Sequence, residues 1–140
     1  MSQIYYLNGD ILPNIPVPHD CIIDSITFEN QNIIFTFEQD ISYHDSIKCI
    51  MPGVKSLVIK FHLFDDSFSL YKWHKPIKMI ASDGYYKSVD CIKLFSLTSS
   101  KCRLEYINHH VAYQSIIIDL FCQDPIRIEL SADYIEFCWK

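Results

Sequence analysis

The sequence predicts an all-β protein, an antiparallel meander forming a two-sheet sandwich or an open barrel, with room for one short helix. Three observations carry that expectation. Isoleucine appears 22 times against 3 alanines and 3 glycines, and 9 Phe, 9 Tyr and 2 Trp add aromatic bulk, a composition suited to half-buried pleated surfaces and poor in helix formers. Apolar residues recur at every second position in several stretches. Turn-forming residues separate those stretches at intervals of roughly ten residues.

With 140 residues, 49% hydrophobic and 21% charged, the chain has the length of a single domain, residues 1–140. It can bury roughly two-thirds of its unfolded surface without a metal or disulfide staple. No linker, low-complexity tract or domain boundary interrupts it.

The first twenty residues differ from the rest. A short apolar run from Ile4 to Leu7 meets turn residues at Asn8-Gly9-Asp10, and Pro13, Pro16 and Pro18 then enforce an extended lead-in. Ile22, Ile23, Ile26 and Phe28 form an apolar run whose phase slips after Ile23, which predicts a bulge. Asn30-Gln31-Asn32 turns the chain, and Ile33, Phe35 and Phe37 return in alternation. Leu57, Ile59, Phe61 and Leu63 give a second period-2 face. Asp65-Asp66-Ser67 reads as a turn before Phe68 and Leu70, so a second hairpin is expected.

Residues 77–81 form a short segment closed by Ser82-Asp83-Gly84. Residues 85–97 suit either state, with their Tyr, Val, Ile and Phe content leaning to strand. Residues 103–107 and 113–122 supply two further strands. Within the second, Ile116-Ile117-Ile118 suggests burial on both faces. After the break at Gln123-Asp124-Pro125, Ile126, Ile128 and Leu130 alternate with Arg127, Glu129 and Ser131. Ala132-Asp133 reads as the turn of a last hairpin, with Ile135, Phe137 and Trp139 facing inward after it.

Charge and punctuation exclude several functions. Twelve basic and seventeen acidic residues leave a net charge of −5, which disfavours nucleic acid and favours a cationic partner through long-range steering. Three scattered glycines cannot build a phosphate-cradling loop. No apolar run reaches the ~20 residues of a membrane span, and no positively charged leader opens the chain. The six cysteines stand 28, 42, 11, 20 and 16 residues apart, without a zinc-knuckle spacing. They are expected as buried thiols in a reducing cytoplasm.

No residues mark a catalytic or metal centre, and no cofactor is implied. The dipeptides His19-Asp20 and Tyr43-His44-Asp45 echo each other weakly. In a strand, however, neighbouring side chains point apart and could not chelate together. A turn role with Asp20 or Asp45 bonding nearby amides is the expectation. His109-His110 reads as a solvated turn, and no G-x-S-x-G elbow or activated cysteine is present. Tyr71, Trp73, His74 and Lys75, with Tyr85 and Tyr86, make the one basic segment interleaved with aromatic residues. They are the candidate partner-binding residues, since Tyr and Trp anchor protein interfaces.

The stretch Pro18-His19-Asp20-Cys21-Ile22-Ile23-Asp24-Ser25-Ile26, followed by a turn and Ile33-Ile34-Phe35-Thr36-Phe37, resembles the opening of small β-rich bacterial proteins. These include immunity proteins of polymorphic toxin systems. The ending Tyr134-Ile135-Glu136-Phe137-Cys138-Trp139 is similar to theirs. That resemblance implies a cytoplasmic, non-enzymatic protein that binds a protein partner, a toxin, and neutralises it. The cysteines, the prolines of the lead-in and the basic segment at Lys72 to Lys78 depart from the pattern. A barrel holding an apolar ligand, and a metal-dependent enzyme using His19, Asp20, His44 and Asp45, are the alternatives.

Overall fold

A computed structural model describes residues 1–74, 84–97 and 102–140, and of Asp66 the backbone alone. The strands are β1 (Ser2–Tyr6), β2 (Ile23–Glu29), β3 (Asn32–Phe37), β4 (Leu57–His74), β5 (Tyr85–Val89), β6 (Glu105–Ala112), β7 (Ser115–Cys122) and β8 (Asp124–Trp139). One short helix, α1 (Asp45–Ile50), lies between β3 and β4, and a 3₁₀ segment (Cys91–Ser96) follows β5. The fold is all-β, as the composition predicts. The expected segment at residues 77–81 and most of its closing turn lie outside the described residues.

All eight strands belong to one antiparallel sheet, with the path β2-β3-β4-β8-β7-β6, β1 beside β8 and β5 beside β4. The ends of that path meet. Ile22 bridges Glu105, the Ile23 amide donates to the Leu104 carbonyl at 2.8 Å, and the Tyr106 amide donates to the Cys21 carbonyl at 2.9 Å. A single ladder that returns to its starting strand is a small barrel, so the sandwich alternative gives way to it.

Two expected hairpins are instead single long strands. β4 runs unbroken through Asp65-Asp66-Ser67, and β8 runs unbroken through Ala132-Asp133. The turn chemistry is spent on bulges: the β4–β8 register slips between His62 and Leu63 and again before Phe68. Asp65 Oδ1 accepts from the Ser67 amide and hydroxyl, both at 3.0 Å. On β8 the bulge absorbs one extra residue, Asp133, so Ala132 and Ile135 are both buried although three positions apart. Facing bulges bend both long strands at one level, which lets each serve two walls of the barrel.

The halves β2-β3-β4 and β6-β7-β8 are related by a pseudo-two-fold. Ile23 corresponds to Tyr106, and their amides form the reciprocal bonds of the seam. Gln31 and Gln114, both with positive φ, close the two tight turns, and their carbonyls accept from Leu63 and Ala132. Burial alternates identically along all six residues of β3 and the first six of β7. Each inner hairpin strand has its bulge beside the seam, after Ile23 in β2 and after Tyr106 in β6. The expected slip after Ile23 is thus one of a pair. The His-Asp echo in the sequence does not follow this symmetry.

The core is filled by Phe35, Phe61, Tyr106, Phe137 and Trp139, each at most 1% exposed, and by isoleucines and leucines of all the long strands. The connection carrying α1 folds over the end of the core and buries Ile41 and Ile47.

Four further expectations change. Residues 85–97 divide into strand β5 and a 3₁₀ segment, whose first free amide, Ile92, is capped by Asp90 Oδ1 at 3.1 Å. Ile116 and Ile118 are buried while Ile117 is half-buried, so β7 has one core face. His109-His110 lies inside β6 rather than in a turn, and the reversal comes at Gln114. Cys102 and Cys122 are disulfide-bonded, since β6–β7 pairing carries their Cα atoms to 6.0 Å. Cys21, Cys49, Cys91 and Cys138 are free thiols.

Candidate functional site

The second half of β4 and strand β5 form a two-stranded flap beside β8. Leu70 points inward and is buried, so strand alternation puts Tyr71 and Trp73 on the outer face. The register sets Trp73 opposite Tyr86 and His74 opposite Tyr85. Rings meet edge to face at 5.3 Å for Trp73–Tyr86 and at 5.2 Å for His74–Tyr85. Of the expected partner-binding residues, Tyr71, Trp73, His74, Tyr85 and Tyr86 therefore share one flap. Lys75 lies outside the described residues. His74 ends β4.

Two residues that sequence reasoning passed over complete this surface. Arg127, opposite Tyr71 on β8, places its guanidinium carbon 4.8 Å from the Tyr86 ring centre. It also grips Asp119 with two bonds, Nε to Oδ1 at 2.8 Å and Nη2 to Oδ2 at 3.3 Å. Asp119 in turn lies 3.5 Å from His110 Nε2. Gly84 passes so close beneath Trp73 that a Cβ there would collide with the indole. The only sequence signal for Arg127 was its outward phase on β8.

The flap's charge opposes that of the whole chain. Lys72 and Lys87 are direct ladder partners, an arrangement that costs a few tenths of a kcal/mol to about 1 kcal/mol in a sheet. Neither is among the described ion pairs. β5 is hydrogen-bonded on one side, to β4, and its other edge pairs with no described strand.

The two His-Asp dipeptides do come together. His19, Asp20, Tyr43, His44, Asp45 and Ser46 line a cleft of about 410 Å³, and the Ser46 hydroxyl donates to the His19 carbonyl at 2.8 Å. His19 and Asp20 sit in a turn, with Asp20 at φ 67°, and His19 Nε2 lies 3.3 Å from Asp20 Oδ1. The objection from strand geometry therefore does not hold. Asp45 opens α1 with a fully exposed side chain, 3.8 Å from Lys48, and caps no amide.

The interior of this cleft is committed to structural bonds. His19 Nδ1 donates to the Ile107 carbonyl at 2.7 Å, and His44 Nε2 donates to Glu38 Oε2 at 3.0 Å. Glu38 also accepts from the Ile22 amide at 2.8 Å and the Tyr43 hydroxyl at 2.6 Å. That last bond, to a carboxylate, raises the Tyr43 pKa. Burial pushes the Cys21 thiol up to about 12, against a smaller lowering by its bond with Ser46, so it is not poised as a nucleophile. Among the described residues no three of His, Cys, Asp and Glu are placed to hold a metal ion.

No helix among the described residues is long and apolar enough to cross a membrane. No protein-family model, curated protein or solved structure matches the chain.

Proposed function

We propose that the protein is a non-enzymatic binding module that docks an extended segment of a protein partner against β5. The observation that carries this reading is the outward cluster of Trp73, Tyr86 and Arg127 beside a strand edge that pairs with no described strand. Aromatic rings held by neighbours lose little freedom on binding, and a free edge offers a row of backbone donors and acceptors. The facing Lys72 and Lys87 favour a partner strand bearing carboxylates, because such a strand relieves their mutual repulsion. At contact range the local charge outweighs the distant net charge, which is screened beyond about 8 Å at physiological salt.

The similarity of the opening and closing segments to immunity proteins makes a bacterial toxin the partner to test first. Co-expression with the product of the adjacent gene is expected to give a stable complex and protection from its toxicity. Trp73→Ala and Lys87→Glu should each weaken that complex at least tenfold without lowering the melting temperature. Absence of any complex and of protection sinks the toxin reading, and full affinity in both variants sinks the flap. The apolar-ligand alternative has against it a core filled by Phe35, Phe61, Phe137 and Trp139. The metal-enzyme alternative has against it the lack of three placed donors among the described residues.

A further inference from the structure

Residues 8–18 run as an extended strap beside β6, and strap and strand together line a groove of about 350 Å³ containing Pro13, Ile15, Val17, His109 and Val111. Three prolines in the strap remove amides that could have joined a ladder. Among the described residues the buried Ile15 and Pro18, the half-buried Val17 and one side-chain hydrogen bond hold it to the barrel. That bond comes from His109 Nε2, which donates to the Ile15 carbonyl at 3.1 Å.

His109 is buried, 8% exposed, at the position that corresponds in the other half of the barrel to the apolar Ile26. Its second nitrogen, Nδ1, lies 2.6 Å from the hydroxyl of Tyr106, which is wholly buried. A carbonyl can only accept, so Nε2 carries the proton and Nδ1 accepts from Tyr106. Both sites of the neutral ring are satisfied, and a second ring proton, on Nδ1, would break the bond that Tyr106 donates there.

We propose that His109 is a proton-operated latch, which in its neutral form holds the strap against β6 and on protonation lets residues 8–18 lift away. Its surroundings offer the imidazolium no compensation. On its own strand it faces Tyr106 and His110. Its ladder partner on β7 is the apolar Ile118, and the next residue, Asp119, is engaged by Arg127 and His110. Of strap residues 8–18 only Asp10, exposed to solvent, has an ionisable side chain. At the strap's end His19 and Asp20 pair with each other, and the buried Cys21 thiol is protonated. Among the described residues His109 forms no ion pair, whereas His19, His44, His62 and His110 each lie near a carboxylate. Burial accordingly depresses the His109 pKa below 6.5, with a smaller push from His110 and an opposing pull from the Ile15 carbonyl. The closed strap is therefore favoured above that value and loses ground as pH falls through the depressed one.

The test follows the Ile15 methyl groups by NMR in the full chain between pH 7.5 and pH 5. Contacts from Ile15 to the His109 ring and Val111 should vanish on acidification while the core methyl signals of Ile118 and Ile128 stay unchanged. In His109→Gln, which keeps a donor for Ile15 and does not titrate, the Ile15–Val111 contact should persist across the range. Ile15→Ala loosens the strap by removing its buried contact with the core, and the strap's release, read on Val17, should move up by about one pH unit, or tenfold in proton concentration. Contacts that persist at pH 5 in the wild type overturn the latch. So does equal acid release in His109→Gln, or an unshifted midpoint in Ile15→Ala.

Discussion

Leu63 of β4 and Ala132 of β8 are ladder partners, and the amide of each donates to the carbonyl of a turn glutamine, Leu63 to Gln31 at 2.9 Å and Ala132 to Gln114 at 3.1 Å. Each hairpin tip is thereby pinned to the place where a long strand bulges. The bulge exposes an amide that a regular ladder would have used, and the left-handed turn residue supplies its acceptor. Bend and hairpin hold each other in position.

Deleting Asp133 should remove the bulge and leave the barrel folded. Without the extra residue strict alternation still carries Ile135, Phe137 and Trp139 inward, while the Asp133 carbonyl that accepts from the Leu7 amide is lost. Urea denaturation is expected to show a cooperative transition at a lower midpoint than wild type. A deletion variant without a cooperative transition would mean that the bulge is required for folding.

The two tryptophans should respond in opposite ways. Trp139 is 1% exposed, and Trp139→Ala is expected to cost about 3 to 5 kcal/mol in urea denaturation. Trp73 lies on the outer face of the flap, and Trp73→Ala should cost less than about 1 kcal/mol. Equal losses would contradict the assignment of inside and outside.

The Cys102–Cys122 disulfide encloses a sequence separation of 20 residues, for which the loop-entropy relation gives about 3 kcal/mol of stabilisation. Cys102→Ser should lose that amount under oxidising conditions. With dithiothreitol present, wild type and variant should denature together.

Tyr106 ties stability to alkaline pH. Complete burial holds its pKa well above the usual 10, with a smaller push from Asp119, so only the unfolded chain can ionise it near that value. Its contribution is therefore full below pH 10 and declines as pH rises further. Tyr106→Phe should flatten that alkaline slope in denaturation series, at a cost of about 1 to 2 kcal/mol for leaving His109 Nδ1 without a donor.

Side-chain direction was legible in the sequence because it needs only the strand period. Leu57, Ile59, Phe61, Ile126, Ile128, Phe137 and Trp139 all point where their spacing predicts. The first hairpin and its bulge were legible too, since Asn30 and Gln31 tolerate positive φ and the slip after Ile23 is local. The long strands were not. A phase slip beside Asp and Ser looks the same whether the chain reverses or bulges, and only the partner strand decides; in β4 the Asp65 carboxyl, held below the usual range by its bonds from Ser67, caps a bulge. The aromatic residues of the flap are close in sequence and were found, while Arg127 and Asp119 arrive through strand order. His109 was misread because a buried imidazole needs Tyr106 and Ile15 around it, and no local spacing announces a carbonyl brought in from the lead-in.

The prolines of the strap protect more than its own conformation. Beyond the seam, β6 has one side paired with β7 and the other facing a chain that cannot complete a ladder. Residues 107–112 are thus shielded by a cover that will not itself propagate a sheet. A molecule stripped of that cover would present a bare β-edge to its neighbours, and its first fault would be self-association into ordered aggregates rather than loss of the barrel.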